Sequence, residues 1–150
     1  MREVTLYTDG ACSGNPGLGG YGAVLLFTDS RGNTHRKELS GGFKETTNNR
    51  MEIMGVIKGL EALKGPCKVT LYSDSRYVVD AIEKGWALRW RNNNWMRNKQ
   101  DKALNVDLWE QLLALLETHK VSCRWVKGHA DNPENERCDA LAREAINLSD

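Results

Sequence analysis

Asp9, Glu52, Asp74 and Asp139 are the residues of this chain best placed to do chemistry, because each falls at a strand end or on the edge of a helix. A carboxylate in a segment otherwise built to be buried is costly unless it is paired or binds a cation. Four such groups gathered in one place would repel one another and take up protons unless divalent cations neutralised them. Oxygen donors without a complement of Cys or His suit Mg²⁺ or Mn²⁺ rather than zinc. Two such ions about 4 Å apart are an apparatus for phosphodiester cleavage. On residue chemistry alone the chain is a nuclease candidate. For Asp9 taken by itself a second reading stands beside the first, an Asp that caps the following turn through its own backbone.

The elements that must position these acids are legible from periodicity. Val4, Leu6 and Tyr7 read as a strand, which Gly10, Gly14 and Asn15-Pro16-Gly17 break, so that Asp9 is expected at the strand's carboxyl end. Gly17 to Gly22 fits G-x-G-x-x-G, but Tyr21 to Phe27 reads as a strand rather than the helix that a dinucleotide site requires, and a β-hairpin is expected instead. A third strand is expected around Lys37 to Phe43. Thr47 is a candidate N-cap for a helix whose stripe is Ile53, Val56, Ile57, Leu60 and Leu63, with Glu52 one residue off that stripe and Gly65-Pro66 as the stop. Gly55 and Gly59, on the Glu52 side, suggest either close approach of helix to sheet or plain tolerance of two glycines. Lys68 to Ser73 is a fourth strand with Asp74 at its end. It can lie parallel to the first by a right-handed crossover, pointing both aspartates at one crevice. A short helix over Tyr77 to Lys84, a helix capped by Asn105, a fifth strand over Val121 to Val126 and a helix begun by Asn132-Pro133 follow. In the last helix Cys138, Leu141, Ala142 and Ala145 form the buried side and Asp139 the edge.

The chain has 150 residues, 40% apolar and 27% charged, which is the size and make-up of one soluble domain. No run approaches the roughly 18 to 20 apolar residues of a membrane span. With no signal-peptide pattern at the start, a cytoplasmic location is expected. Four widely spaced cysteines without a C-x-x-C read as reduced, mostly packed thiols. The net charge of +1 hides an uneven distribution, since Lys84 to Lys102 carries six basic residues against one acid and three of the five tryptophans.

These residues closely resemble the bacterial type I ribonuclease H family. The likeness runs from about Thr5 to Ala145 and is carried by TDGACSGNPGLGGYGA (8 to 23), TTNNRMEIM (46 to 54), the YSDS around Asp74, the tryptophan-rich basic segment, NVDLW (105 to 109) and WVKGHADNPENERCDALA (125 to 142). It implies an α/β ribonuclease H-like fold, one domain over 1–150 with a five-stranded mixed sheet in order 3-2-1-4-5 and helices on both faces. It also implies hydrolysis of the RNA strand of RNA/DNA hybrids by two metal ions, Mg²⁺ with Mn²⁺ able to substitute, leaving 5′-phosphate and 3′-hydroxyl ends. By matching positions Asp9, Glu52, Asp74 and Asp139 hold the metals, and His129 handles a proton or helps product leave. A monomer is expected, in the compact form with no additional hybrid-binding domain before Thr5.

Substrate contacts follow from the same likeness. Asn15, Asn48 and Asn49, with Cys12 in the same region, match residues that reach bases and ribose hydroxyls in the minor groove. Hydroxyl recognition is what distinguishes RNA from DNA. Thr47 and Arg50 match positions near a phosphate pocket for the DNA strand, Thr47 being equally a helix cap. Arg76 departs from the family, where glutamine is usual. The segment at about 84–102 resembles the family's handle, with Lys84, Arg89 and Arg91 expected on phosphates and Trp86 the tryptophan expected to touch DNA, whereas most of its tryptophans are expected to pack. Two rival classes are a hybrid-binding module without catalysis, which would have no reason to keep a repulsive acidic cluster, and a transposase or resolvase of related fold.

Overall fold

A computed structural model of the chain describes residues 1–127 and 132–148. Its elements in order are β1 (Arg2–Gly14), β2 (Gly17–Thr28), β3 (Thr34–Thr46), α1 (Asn48–Glu61), β4 (Cys67–Ser73), α2 (Arg76–Glu83), α3 (Trp86–Asn92), α4 (Val106–Thr118), β5 (Lys120–Trp125) and α5 (Pro133–Leu148). The strands form one sheet in order β3-β2-β1-β4-β5. β1, β2 and β3 make an antiparallel meander, while β4 and β5 join parallel to β1 and to each other. The expected mixed sheet and its strand order are therefore the observed ones.

Alternation along the strands decides which face each helix covers. Val4 and Leu6 of β1 and Val69 and Leu71 of β4 turn to one side, where they meet Ile53, Val56, Ile57 and Leu60 of α1, with Leu108, Trp109 and Leu112 of α4 completing the core. On the other side Val24 meets Cys138 and Leu141 of α5. Arg36 and Arg137 share Glu38, and Arg36 also makes paired bonds to Glu134, so a charged lattice ties the start of α5 to β3.

Two expectations need correcting. Asp9 does not end its strand: pairing with β4 stops at Tyr7↔Tyr72, but β1 continues beside β2 through Asp9↔Gly22 to Gly14↔Gly17. Gly10 is therefore a strand residue, and its missing side chain makes room for α1. A Cβ there would lie 2.6 Å from the Glu52 nitrogen. Gly59 does the same lower down, where a Cβ would lie 2.6 Å from Leu6 Cδ1, and Gly55 stands over Thr8. The close approach inferred from the two helix glycines is thus seen, with Gly10 the tightest point on the strand side.

Asn105 precedes α4 as expected, but it lies in the left-handed region (φ 62°) and its side chain makes no capping bond. It reaches instead for the Tyr77 hydroxyl at 3.1 Å. Thr47 does cap α1, accepting from the Arg50 N–H at 3.2 Å. Asn132 accepts from the N–H groups of Glu134 and Asn135 at the head of α5. Cys67, Cys123 and Cys138 are buried and Cys12 half-buried, all four free thiols.

Candidate active site

Three elements converge at one point. β1 carries Asp9, the second turn of α1 carries Glu52, and the end of β4 carries Asp74; one carboxylate oxygen from each lies within 4.8 Å of the other two. The Gly10 N–H sits between the first two acids, 2.9 Å from Asp9 Oδ1 and 2.9 Å from Glu52 Oε1. Glu52 is only 3% exposed and Asp9 7%. Glu52 Oε2 is buried without a hydrogen-bond partner among the described residues. A buried oxygen left over in this way is uncommon unless an ion or water completes it.

Electrostatics follow from the crowding. Burial first, and then the charge of Asp74, push Asp9 up to about 7; a smaller push comes from Asp139, while the contact with Glu52 and the Gly10 N–H act in the opposite direction. Glu52 is held well above the ordinary carboxyl range, by burial first and then by Asp9 and Asp74. The site thus asks either for protons or for cations. All its donors are oxygens, which fits Mg²⁺ or Mn²⁺.

Asp139 lines the same cavity of about 430 Å³, with Asn48, Asn49, Ser75, Arg76 and Tyr77 also on its wall. It stands outside the group of three, however, and its carboxylate is 3.0 Å from Arg143 Nη2 one helical turn on. His129 lies outside the described residues.

The comparisons agree with this geometry. The family model described as RNase H matches residues 1–147. The chain belongs to the bacterial type I ribonuclease H family. A ribonuclease H of Desulforamulus reducens is 65% identical over 142 residues, covering 95% of this chain and 86% of the relative. A ribonuclease HI of Synechocystis is 63% identical over 141 residues, covering 94% and 86%. Among solved structures, LC9-RNase H1, described as a type 1 enzyme with the type 2 active-site motif, superposes with a TM-score of 0.88 at 30% identity, over 99% of this chain and 74% of that one. LC11-RNase H1 in complex with an RNA/DNA hybrid gives 0.70 at 26%, over 97% and 98%. This chain is therefore a ribonuclease H enzyme.

The residues assigned to substrate by family position divide into three groups, with Arg50 apart from them. Asn48, Asn49 and Arg76 face the acidic cavity. Asn15, Cys12 and Thr47 serve the scaffold beside it: Asn15 Oδ1 accepts from the Asn48 N–H at 3.1 Å, Cys12 Sγ donates to the Thr46 carbonyl at 3.4 Å, and Thr47 caps α1. The basic, tryptophan-rich segment at about 84–102 forms the third group. Lys84 pairs with Asp80 at 3.7 Å and lies over the Trp86 ring, and Arg91 pairs with Glu117 at 3.8 Å. Arg89 is exposed and makes no ion pair among the described residues. Trp86, Trp90 and Trp95 all pack against the core, Trp90 beside Tyr77 and Trp109. Arg50 is clamped in two bonds by Asp107, at 2.9 and 2.7 Å.

Sequence reasoning missed Gly10, Ser75 and Tyr77 as cavity residues, and Trp125 as the partner of Arg76. Ser75 had a signal, since a Ser after a strand and before an amphipathic run is an N-cap, and it accepts from the Val78 N–H. Trp125 had none, because its contacts join residues some fifty positions apart.

Proposed function

We propose that this ribonuclease H cleaves the RNA strand of RNA/DNA hybrids with two Mg²⁺ ions, leaving 5′-phosphate and 3′-hydroxyl ends. Asp9, Glu52 and Asp74 would hold the ions, with Asp139 joining them as Arg143 releases it. Bound there, the pair supplies an activated water and charge neutralisation at the leaving oxygen. Mn²⁺ offers the same oxygen chemistry and can substitute.

The chain's own residues do the rest. The Gly10 N–H fixes one oxygen each of Asp9 and Glu52. Asn48 and Asn49, at the first turn of α1, offer amides to a ribose 2′-hydroxyl, the group that separates RNA from DNA. Arg76 stands at the wall as a fixed cation for a phosphate. Arg50 and Thr47 border the DNA-strand phosphate pocket. Lys84, Arg89, Arg91 and Trp86 give a basic handle that grips backbone beyond the crevice. Salt-sensitive binding follows from it. His129 takes the proton-handling or product-release role. We place the enzyme in the cytoplasm as a monomer; no described helix is long and apolar enough to cross a membrane.

The observation that carries this reading is the unpartnered Glu52 Oε2 beside two further carboxylates. The test is cleavage of a labelled hybrid with Mg²⁺ against EDTA, with all-DNA and all-RNA duplexes as controls and the product ends analysed. Cleavage confined to the hybrid and abolished by EDTA is expected. Cutting of all-DNA duplex would sink it in favour of the transposase-like class.

A further inference from the structure

Among the described residues α5 packs across β1, β2 and β3 and leaves the same face of β4 and β5 without a covering helix. Alternation puts Cys67, Val69 and Leu71 of β4 and Cys123 of β5 into the core on the α1 side. Their neighbours Lys68, Thr70 and Tyr72, and opposite them Lys120, Ser122 and Arg124, face out. An open sheet face in a protein of this size is ordinarily either covered or charged to keep it soluble. This one is charged with a single sign. Among the described residues Lys120 and Arg124 make no ion pair, and Lys68 has only Glu3 at 4.0 Å, on a side chain 80% exposed. The groove of about 1140 Å³ at the lower end of this face has two acids on its walls, Glu3 and Asp29, and Asp29 is already taken by His35 at 2.7 Å.

The upper end of the face is aromatic. Tyr72 stacks on Tyr7, ring centroids 5.1 Å apart and planes 15° from parallel, both half-buried, with Tyr7 packed against the Val24–Cys138–Leu141 cluster under α5. Each tyrosine is two residues before a cavity acid, Tyr7 before Asp9 and Tyr72 before Asp74. The face therefore leads directly out of the acidic cavity.

We infer that the open β4–β5 face binds single-stranded nucleic acid, with Lys68 and Lys120 on a phosphate at one end, Arg124 on a phosphate at the other, and Tyr72 as a stacking platform for a base. Same-face residues along a strand are about 6.6 Å apart and neighbouring strands about 4.8 Å. Lys68 and Lys120 stand opposite one another across the two strands, and Arg124, with Tyr72 opposite it, lies two same-face steps or about 13 Å further on, so the cations mark two ends of an extended phosphodiester segment and the aromatic ring at one end accepts any base. Thr70 and Ser122 between them carry hydroxyls, so the track is polar throughout. Duplex would meet a flat face with neither a groove-reading element nor a helix end, whereas an extended strand lies along it. Single-stranded tails adjoining the cleavage site are the natural occupants.

Fluorescence anisotropy with a labelled single strand of about 15 nucleotides, in EDTA, tests this without cleavage. The variant Lys68→Ala/Lys120→Ala/Arg124→Ala should bind at least about tenfold more weakly at low salt, with a log–log salt slope shallower by about 1.4, near 0.7 for each of the two phosphates left without a cation. The charge-conserving set Lys68→Arg/Lys120→Arg/Arg124→Lys should restore both. Tyr72→Leu should weaken binding at least about fivefold with no change of slope. Cleavage of a blunt hybrid should stay within about twofold of wild type for the alanine set. Unchanged single-strand binding in that set overturns the inference. So does an equal fall in blunt-hybrid cleavage, because the face would then be part of the duplex track.

Discussion

The guanidinium of Arg76 lies 3.9 Å above the ring of Trp125, and the indole Nε1 of the same tryptophan donates to the Asp74 carbonyl at 3.1 Å. One side chain on β5 thus steadies both the cation on the cavity wall and the strand end that presents an acid. Removing Arg76 should weaken substrate capture. Arg76→Ala is expected to raise KM for hybrid several-fold with little change in kcat, and Arg76→Gln to recover part of it. Trp125→Ala should raise KM and also lower kcat, because Asp74 loses its backbone anchor. Trp125→Phe keeps the ring under the guanidinium, an interaction worth about 0.5 to 1 kcal/mol at an exposed site. It should leave KM near wild type while kcat still falls. Steady-state kinetics on the four variants decide, and a kcat effect in Arg76→Ala equal to that in Trp125→Ala would contradict the division of labour.

Asp9 is pushed up to about 7 from 3.8, chiefly by burial and Asp74. Between those two values the folded metal-free protein holds a proton that the unfolded chain has lost. Stability therefore declines as pH rises through that window and levels off above about 7. Glu52 is shifted in the same direction and adds to the decline. Cations that replace the protons should reverse it. The melting temperature gained on adding Mg²⁺ is expected to be clearly larger at about pH 8 than at about pH 5.5, read by thermal unfolding in matched ionic strength. A gain that does not vary with pH would show that the ions bind elsewhere.

Much of this arrangement was visible before any coordinates. The parallel placing of β4 beside β1 followed from the helix between the third and fourth strands, which permits a crossover, whereas the full strand order came from the family resemblance; the caps at Thr47 and Asn132 followed from residue type. The acids were legible because strands and helices built from Leu, Ile and Val have no ordinary use for them. Gly10 misled, because glycine is punctuation in a sequence but can also be a gap left for a neighbouring helix, and only the position of α1 separates the two. The pairings of Arg50 with Asp107 and of Asp139 with Arg143 differ in kind. The second is an i,i+4 pair readable on one helix, whereas the first spans elements and depends on how α4 packs against α1.

That gap at Gly10 should be intolerant. A Cβ there would meet the backbone of α1, 2.6 Å from the Glu52 nitrogen and 2.7 Å from the Met51 carbonyl carbon. Helix and strand would have to separate, at a cost of about 3 kcal/mol by the usual scale of overpacking. At Gly59 the obstacle is the far end of Leu6, and alanine recovers roughly 1 kcal/mol of helix propensity. Gly59→Ala should accordingly cost much less than Gly10→Ala. Urea unfolding of the two variants measures the difference, and equal costs would mean that α1 does not press on β1 at Glu52.

Asp9→Asn separates what the acids do for chemistry from what they do to the fold. The amide keeps an oxygen for the Gly10 N–H, now 2.9 Å from Asp9 Oδ1, but removes the charge that faces Glu52 and Asp74. Cleavage should be abolished while hybrid binding stays measurable. In EDTA above about pH 7 the variant should melt at a higher temperature than wild type, because repulsion among buried carboxylates is relieved. With saturating Mg²⁺ the order should invert, since wild type gains the ions and the variant loses a ligand. The crossing of the two melting curves is the distinguishing result. A variant less stable than wild type in EDTA as well as in Mg²⁺ would show Asp9 to be a structural hydrogen-bond partner, its charge incidental to the site.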